Sequence, residues 1–331
     1  MERKTKDYIT VVFASNQKGV MPLSVAIWSV VETAAESTSF EICVLSDGIE
    51  AESQEKIKSL VEKAGRRHRI RFIDVSLVIP ESVKVNENWP KAAWARVFLP
   101  DLLPDVSRVI YLDIDTMACT DLKELYSTHM GDNALGVVLE HESHERSHFN
   151  ERLQIPLACP GYFNSGVLLM NLAVFRRDRL VEKIMTFAET KASILYCPDQ
   201  DALNGALCNR IQILHPRWNW YGGLTRAIMK EGYFERARRG CTLKQAVEAA
   251  LYPGILHYRG KENKPWHYNY GIYGKHYYKC IQRAGLYEYL PLPGWSIKKC
   301  LLKLFSIPVY AYSWLRIKKL AKQNGVTGSF I

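Results

Sequence analysis

The sequence has no apolar run long enough to cross a membrane as a helix, which takes about 18 uninterrupted residues. Residues 1–7 are charged and lack the apolar segment of a secretory signal. The eight cysteines are scattered and form no C-x-x-C pair, a pattern that favours free thiols over a disulfide framework or a zinc site. We therefore expect a cytoplasmic protein whose cysteines are reduced and in several cases buried.

Several motifs of nucleotide chemistry are also missing. The first predicted strand turns through residues 14–19 without the G-x-G-x-x-G of dinucleotide-binding domains, and the chain contains neither a P-loop nor a G-x-S-x-G turn. These absences argue against hydride transfer, and against a nucleotidyltransferase that would need a glycine-rich phosphate loop after this strand. The net charge of +10 suits an anionic partner. Because no basic helix carries base-stacking aromatic residues, we expect no nucleic acid.

The periodicity of the N-terminal part predicts a parallel sheet. Residues 8–14, 40–45 and 69–75 are predicted as strands, whereas residues 23–34 and 51–64 have apolar positions at helical spacing. The resulting β-α-β-α-β order is typical of parallel strands joined by helical crossovers. With 47% hydrophobic and 24% charged residues, the 331-residue chain can bury a large core.

The alternation of strands and helices continues farther along. A helix over residues 92–99 is predicted to end at Pro100. Strands are then predicted over residues 134–139, 163–172 and 210–214, and helices over residues 180–191 and 199–207. Residues 221–248 show only weak patterns. Since no repeat or low-complexity linker interrupts the chain, we predict one main domain, residues 1–286, and a C-terminal tail, residues 287–331.

The most informative stretch is residues 109–118, where an apolar run leads into two carboxylates, Asp113 and Asp115. In an extended strand, residues at this spacing point to the same face, and open α/β sheets bind ligands at the carboxyl ends of their strands. Two hard oxygen donors at this spacing suit Mg²⁺ or Mn²⁺ shared with phosphate oxygens. A D-x-D triplet also arises by chance, and the chain has a second one at residues 199–201.

Two further stretches place polar residues near predicted element ends. Arg96 lies in a predicted helix upstream of the two carboxylates. Asn164 and Ser165 stand beside Gly166, where the missing side chain lets a ligand approach the backbone. Each stretch has a structural alternative, namely a surface arginine and a glycine that merely eases packing.

Two more stretches follow in the C-terminal half. Pro198 can open a helix whose first turn holds residues 199–201, and complementing the helix dipole would explain the two aspartates there but not the glutamine. His257 follows an apolar run and precedes Gly260 and Lys264, a set that suits a third metal ligand and a diphosphate clamp. The alternatives are a structural histidine and a solvated lysine.

The C-terminal tail is basic and aromatic. Beyond Glu288 the chain has no acidic residue but seven basic ones, with aliphatic and aromatic residues between them and a break at Pro308. This composition suits a segment lying on an anionic membrane surface, which would place the protein on the inner face of the cell membrane. The alternative is a C-terminal helix docked on the core with a solvated basic face.

Six ordered motifs together resemble glycosyltransferase family 8, namely FAS, WARVFLP, YLDID, FNSGVLLMNL, PDQDALN and HYRGKENKPW. The resemblance runs from about residue 8 to residue 266. It implies a retaining, metal-dependent enzyme of the GT-A fold, an α/β class with a Rossmann-like, mixed but mainly parallel sheet flanked by helices. Bacterial lipopolysaccharide and lipooligosaccharide galactosyl- and glucosyltransferases are the most similar members, and glycogenin is more distant. It further implies Mn²⁺ or Mg²⁺, a UDP-hexose donor, and a glycan or lipid-linked acceptor.

The resemblance also implies roles for the residues of the metal and phosphate site. Asp113 and Asp115 match the ligands of the metal and the nucleotide, and His257 matches the third protein ligand of the metal. Gly260 and Lys264 match the backbone and ammonium groups that hold the diphosphate.

Further matches concern the nucleoside and the donor sugar. Ala14 and Asn16 match contacts to uracil and ribose. The contacts to the donor sugar match four residues: Arg96, Asn164, Asp199 and Gln200. In the family, the position of Gln200 lies near the β-face of the anomeric carbon.

Departures from the family pattern fall mainly in the base-binding loop. Gly19 stands where relatives often carry a tyrosine that stacks on uracil, Asn16 replaces an aspartate, and Lys18 replaces a neutral residue. The loop between His257 and Lys264 is one residue longer than in some relatives. None of these changes alters the predicted metal ligands.

Retention of the anomeric configuration requires either a nucleophile on the opposite face of the sugar or same-face attack by the acceptor. Because Gln200 is an amide and a poor nucleophile, we favour same-face attack, with the departing phosphate as the base. Asp199 or Asp201 is the alternative nucleophile. A rival interpretation is a non-catalytic, membrane-peripheral protein that binds a nucleotide-sugar or a glycan, and only the changed base loop supports it.

Overall fold

The structure, a computed structural model, describes residues 8–65, 67–76, 78–80, 91–140, 149–154, 159–229, 240–260, 264–266, 273–290 and 314–327. Parts of four regions discussed above lie outside the described residues. They are residues 1–7 at the N-terminus, residues 230–239 of the region with weak patterns, residues 261–263 of the loop after His257, and residues 291–313 and 328–331 of the tail. Among the described residues, no helix has the length and apolar character needed to cross a membrane.

Seven strands form the central sheet. The strands of the described chain are β1 (Ile9–Asn16), β2 (Phe40–Asp47), β3 (Arg69–Asp74), β4 (Arg108–Leu112), β5 (Thr116–Ala118), β6 (Leu135–Val137), β7 (Val167–Asn171), β8 (Ile211–Ile213) and β9 (Ile255–His257). The order in the central sheet is β3-β2-β1-β4-β7-β6-β8. β3, β2, β1 and β4 are parallel, whereas β7 is antiparallel to its neighbours β4 and β6. The predicted mixed, mainly parallel sheet is confirmed.

Helices flank this sheet. They are α1 (Val20–Glu32), α2 (Ala51–Lys63), α3 (Leu99–Leu102), α4 (Lys123–Tyr126), α5 (Phe149–Leu153), α6 (Leu172–Arg177), α7 (Leu180–Thr190), α8 (Pro198–Leu207), α9 (Gly222–Met229), α10 (Leu243–Leu251), α11 (Gly274–Ala284) and α12 (residues 314–323). The helices predicted over residues 23–34, 51–64, 180–191 and 199–207 are confirmed to within a few residues.

Alternation along the central strands divides the core into two clusters. In β4, Ile110 and Leu112 belong to the cluster that includes α1, whereas Val109 and Tyr111 belong to the cluster on the opposite face. All four side chains are essentially inaccessible to solvent. A strand buried on both faces has no polar side for water, and this accounts for the continuous apolar run before Asp113.

A second, two-stranded sheet was not predicted from the sequence. β5 and β9 pair antiparallel, with Thr116 opposite His257 and Ala118 opposite Ile255. Each strand has only three residues, too few for a recognisable alternation. This sheet carries His257 to the turn that follows β4.

Two local predictions were wrong. Asp113 and Asp115 do not lie in an extended strand, because β4 ends at Leu112 and a turn follows, closed by the bond from the Thr116 amide to the Asp113 carbonyl. Pro100 does not end a helix. It lies in the first turn of α3, after a 3₁₀ segment over Lys91–Phe98, where its missing N–H is tolerated. Residues 221–248, whose sequence patterns are weak, contain α9 and most of α10, and residues 230–239 lie outside the described residues.

The expectation of eight reduced cysteines is also contradicted. Cys159 and Cys208 form a disulfide between positions 49 residues apart in the chain. Cys43 and Cys280 are free and buried, as predicted for several of the cysteines. The sequence could not reveal the disulfide pair because the two cysteines meet only through the packing of distant segments.

The described part of the tail docks on the core. Ile317 and Ala321 of α12 are buried in the same cluster as α1, and the Trp314 ring meets Tyr273 edge-on. Leu315 and the lysines on the other side of α12 are exposed. The boundary between a catalytic domain and a separate tail therefore stays a prediction, and so does membrane association.

Candidate active site

The predicted metal ligands converge at the carboxyl end of β4. Asp113, Asp115 and His257 each offer a ligand atom, and these atoms all lie within 4.8 Å of one another. The turn is held from both sides, since the Asp113 amide donates to the Gly166 carbonyl at 2.8 Å and the Tyr258 amide donates to the Asp115 carbonyl at 2.8 Å. The three ligands are therefore positioned by backbone bonds rather than by side-chain packing alone.

Each carboxylate has one oxygen engaged by a cation. Oδ1 of Asp113 accepts from Arg96 at 2.9 Å and from the Tyr111 hydroxyl at 3.2 Å. Oδ2 of Asp115 lies 3.3 Å from the Lys264 ammonium. Burial opposes ionisation of Asp115, but His257 and Lys264 outweigh this effect and hold the pKa of Asp115 well below its usual range. Asp115 therefore carries its negative charge at neutral pH.

The orientation of His257 is set by Asn219, a residue that the sequence analysis did not identify. Nδ1 of His257 lies 2.9 Å from Oδ1 of Asn219, and Nε2 lies 3.1 Å from Oδ1 of Asp115. The Asn219 oxygen can only accept, so Nδ1 carries a proton and Nε2 is the nitrogen offered to the site. Metal-binding histidines in proteins are oriented in this way by a partner of the other ring nitrogen.

Gly166 makes room for this arrangement. A β-carbon at Gly166 would lie 2.3 Å from Cε1 of His257 and 2.6 Å from Oδ2 of Asp113, both far inside contact distance. The two carboxylates and the imidazole lie close together because Gly166 has no side chain. Together they form a donor set that suits a divalent cation such as Mn²⁺ or Mg²⁺. The residues present therefore fit the predicted metal.

Arg96 joins the metal-ligand group to the second D-x-D triplet. Its guanidinium is buried, donates to Asp113, and lies 3.3 Å from Oδ2 of Asp199. It also donates to the Ser165 carbonyl at 2.6 Å and stacks over the Tyr111 ring at 4.4 Å. The alternative of a surface arginine is thus wrong, because burial and two carboxylates hold this side chain inside the site.

Gln200 and Asn164 form a buried amide pair. Nδ2 of Asn164 donates to Oε1 of Gln200 at 2.9 Å, and the Ser165 amide donates to the same oxygen at 3.0 Å. Nε2 of Gln200 donates to the Tyr162 hydroxyl at 2.9 Å. Both residues are more than nine-tenths buried. Protein groups thus fix the orientation of the Gln200 amide.

The two aspartates beside Gln200 differ in their surroundings. Asp201 is fully buried and accepts bonds from Arg152, from the Tyr162 hydroxyl and from the amides of residues 196 and 197. Burial raises the pKa of Asp199 to about 6, against the opposing effect of Arg96. Asp201 is thus a structural anchor at the start of α8, and of the two only Asp199 faces Arg96.

The remaining predicted residues lie along the edge of the same site. Ala14 and Asn16 are at the carboxyl end of β1, the neighbour of β4 in the sheet. Gly260 has a φ of +76°, a conformation that glycine adopts readily. At Gly19, a β-carbon would lie 2.4 Å from Oγ of Ser15 and 2.7 Å from Cδ1 of Ile114. With the backbone in this conformation, position 19 has no room for a tyrosine side chain.

Several residues of the site escaped the sequence analysis. Tyr162 immediately precedes the FNSG segment of residues 163–166. A phenolic hydroxyl next to small polar residues was the sequence signal that could have identified it. Glu140 is buried, pairs with Arg259 at 2.6 Å and lies 3.4 Å from Nδ2 of Asn164. Asn219 and Arg152 carried no signal, since each depends on contacts far away in the chain.

The sequence pattern that defines glycosyl transferase family 8 matches residues 6–270, most of the chain. The chain belongs to glycosyl transferase family 8. A relative within the curated proteins is general stress protein A of Bacillus subtilis, 28% identical over 264 residues, with 77% of this chain and 84% of the relative covered. The lipopolysaccharide 1,3-galactosyltransferase of Salmonella typhimurium is 24% identical over 234 residues, with 70% and 64% covered.

Among solved structures, an active-site variant of LgtC superimposes on this family 8 chain with a TM-score of 0.72 at 25% identity, covering 83% of this chain and 96% of LgtC. The galactosyltransferase LgtC in complex with donor and acceptor sugar analogues gives a TM-score of 0.68 at 24% identity, with 88% and 98% covered. The predicted GT-A fold is thereby confirmed, and family membership makes the chain a hexosyltransferase that uses a nucleotide-sugar donor and a glycan acceptor.

Proposed function

We propose that this protein transfers galactose or glucose from a UDP-sugar to a cell-surface glycan, with retention of the anomeric configuration and with Mn²⁺ or Mg²⁺ as the metal. One observation carries the proposal. Asp113, Asp115 and His257 converge at one end of the sheet, with Lys264 on one side and the buried pair of Arg96 and Asp199 on the other. A sugar diphosphate requires such a group of metal ligands and cationic side chains for its phosphates, next to buried polar side chains for its sugar.

Asp113, Asp115 and His257 would hold the divalent cation, which supplies Lewis-acid stabilisation of charge on a departing diphosphate. Lys264 adds a second positive charge next to Asp115, so that the diphosphate meets two cationic groups. Gly260, which is exposed and has a left-handed backbone conformation, would offer its amide to the diphosphate. Ala14 and Asn16, at the end of β1, would contact the nucleoside.

The sugar would lie against Arg96, Asn164, Asp199 and Gln200. The Gln200 oxygen accepts from Asn164 and Ser165, and its nitrogen donates to Tyr162. These bonds hold the amide in an orientation that suits positioning of the sugar rather than nucleophilic attack on it. Asp201 accepts bonds from Arg152, Tyr162 and two backbone amides, which argues against it as a nucleophile. These bonds support same-face attack by the acceptor, and of the two aspartates Asp199 is the better candidate for a two-step route.

The acceptor assignment rests on similarity. The relatives that carry an assigned acceptor include enzymes named for lipopolysaccharide, such as the 1,3-galactosyltransferase of Salmonella typhimurium and the 1,2-glucosyltransferase of Escherichia coli. We extend this to a lipopolysaccharide or related lipid-linked glycan, reached from the cytoplasmic side. An enzyme on that side of the membrane would meet such an acceptor as it is assembled.

A screen of sugar nucleotides tests the donor. The purified protein is incubated with UDP-galactose, UDP-glucose and their GDP counterparts in the presence of Mn²⁺, and release of the nucleoside diphosphate is followed. We expect slow hydrolysis of one UDP-hexose without an acceptor, and faster release when a lipooligosaccharide fragment is added. If the protein binds a sugar nucleotide but releases no product with any acceptor, the non-catalytic binding role is correct instead.

A further inference from the structure

A continuous chain of buried hydrogen bonds connects the metal-ligand group to the first turn of α8. It runs from His257 through Asn219, Asn164, Gln200 and Tyr162 to Asp201, over distances of 2.7 to 2.9 Å. Each of these side chains is more than nine-tenths buried. Such a network is costly to leave half-satisfied, because a buried polar group without a partner loses the hydrogen bonds it made in water.

The direction of the bonds that Tyr162 makes is determined by Asp201. Asp201 accepts from Arg152 and from two backbone amides, which are groups that can only donate. The Tyr162 hydroxyl must therefore donate its hydrogen bond to Asp201, and its oxygen accepts a hydrogen bond from Nε2 of Gln200. Burial and the nearby Asp201 charge raise the pKa of Tyr162 well above its usual value, which keeps that proton in place.

Backbone amides fix the direction of the middle of the chain. The Ser165 amide donates to Oε1 of Gln200, and the Gly166 amide donates to Oδ1 of Asn164 at 3.0 Å. The Asn164 oxygen therefore faces Asn219, whose Nδ2 donates to it at 2.9 Å. The oxygen of Asn219 is consequently the atom that faces Nδ1 of His257. Turning the side-chain amide of Asn164, Gln200 or Asn219 by 180° would place two donors or two acceptors against each other.

We infer that Asn219 is a positioning residue that fixes the tautomer of His257 and couples this metal ligand to the Asn164–Gln200 amide pair against which the donor sugar lies. The inference rests on the proposed function in two respects, that His257 binds the metal and that the donor sugar lies against Asn164 and Gln200. Asn219 is 2% exposed and uses its oxygen for His257 and its nitrogen for Asn164. A change in the position of His257 would thus be transmitted to Gln200 through two side chains, Asn219 and Asn164.

Two substitutions of Asn219 separate these roles. Asn219→Ala removes both bonds, whereas Asn219→Asp keeps an acceptor for His257 but presents oxygen instead of N–H to the Asn164 oxygen. Asn171→Ala is the matched control, because Asn171 also makes a side-chain bond, to the Val174 amide at the start of α6, away from the site. Thermal unfolding of all variants reports the stability lost in each.

The first measurement needs no metal. In ¹⁵N-labelled apo protein, the Nδ1–H proton of His257 should give a protected downfield resonance, assigned by its absence in His257→Gln. We expect this resonance in the wild type, in Asn219→Asp and in Asn171→Ala, and its loss to solvent exchange in Asn219→Ala. Its persistence in Asn219→Ala would overturn the assignment of the tautomer to Asn219.

The second measurement uses Mn²⁺ alone, by titration calorimetry, together with the rate of donor hydrolysis. Asn219→Ala should bind Mn²⁺ about 10- to 100-fold more weakly, the usual effect of removing such a partner. Asn219→Asp should bind Mn²⁺ close to the wild type but lose about tenfold in kcat. A wild-type kcat in Asn219→Asp would refute the coupling to Gln200. If the wild type shows the ring resonance but no Mn²⁺ binding, the metal-dependent function fails while the hydrogen-bond assignment holds.

Discussion

The Nε2 atom of His257 lies 3.1 Å from Oδ1 of Asp115, although 142 positions separate the two residues in the chain. The antiparallel pair of β5 and β9 brings them together, because its register sets Thr116, the residue after Asp115, opposite His257. The backbone bond from Tyr258 to Asp115 closes the same junction. The predicted metal ligands are thus brought together by two short paired strands and a backbone hydrogen bond.

Removal of one ligand tests the metal site. Asp115→Ala should abolish Mn²⁺ binding and turnover and leave the circular dichroism spectrum unchanged, because the backbone bond from the Tyr258 amide to the carbonyl of residue 115 is kept. Asp132→Ala, at an 85% exposed carboxylate, is the control and should behave as the wild type. Full activity of Asp115→Ala, or of the wild type in excess chelator, would falsify metal dependence.

Gly166 gives a steric test of the same site. Gly166→Ala should weaken Mn²⁺ binding strongly, because the added methyl group would lie 2.3 Å from the His257 ring and must displace it. Gly136→Ala, in β6 of the same sheet, is a suitable control, since its β-carbon would meet atoms at 3.1 Å or more, all on side chains. Calorimetric titration with Mn²⁺ compares the two. Equal affinity in both variants would show that the close approach at Gly166 is not needed for metal binding.

Gln200 is expected to position the sugar and not to attack it. Gln200→Ala should lower kcat without eliminating turnover, since truncation removes the amide that joins Asn164, Ser165 and Tyr162 but no nucleophile. Gln212→Ala, at a glutamine of β8, is the control. Initial rates with a UDP-hexose measure the effect. Trapping a covalent glycosyl adduct on Asp199 would reverse the preference for same-face attack.

The raised pKa of Asp199 predicts a pH dependence. With a pKa of about 6 in place of the ordinary 3.8, Asp199 loses its charge below pH 6 and can no longer accept from Arg96 as a carboxylate. The rate of the wild type should therefore fall on the acidic side of about pH 6. Asp199→Asn should be slower at neutral pH and should lack this acidic limb. An unchanged limb in Asp199→Asn would assign it to another group.

The raised pKa of Asp199 also affects stability, in the opposite direction, because acidic pH lowers the rate but favours folding. Between pH 3.8 and about 6 the folded protein holds a proton that the unfolded chain has already lost, so folding is favoured at low pH and this contribution disappears as the pH rises through 6. Relative to Asp199→Asn, the free energy of unfolding of the wild type should fall by roughly 2–3 kcal/mol between pH 4 and pH 7. Urea titrations at several pH values measure this difference.

The exposed face of α12 tests membrane association. Ile317 and Ala321 are buried in the core, so deletion of the tail would disrupt the fold, and substitution of the exposed lysines is the cleaner experiment. Replacing Lys318, Lys319 and Lys322 by serine should weaken binding to anionic vesicles at low salt by up to about 100-fold, at about 1 kcal/mol per charge. Activity on a small soluble acceptor should survive.

A charge-matched variant controls for the loss of net charge, with three lysines replaced on α2 and α7: Lys56, Lys58 and Lys183. It should bind vesicles nearly as well as the wild type, because those lysines lie on helices outside the tail. If both triple variants bind anionic vesicles equally, α12 is a docked structural helix and the membrane assignment fails.

Much of the fold followed from short-range patterns. β1 to β4 and helices α1, α2, α7 and α8 were predictable because burial on one or both faces leaves a periodic apolar signal in the sequence. The D-x-D residues were found because an apolar strand led directly into them, although they lie in a turn and not in the strand. The motif order also predicted the family, which the match over residues 6–270 confirmed.

The sequence by itself determined which residue types were available for a metal and a diphosphate, and the order of the strands that carry them. Only the tertiary structure decided how those residues are oriented. Asn219 orients His257 across 38 positions and meets Asn164 across 55, and Arg152 anchors Asp201 across 49. Such bonds leave no periodic signal, because each depends on a single pair of side chains that meet only after the strands and helices have packed.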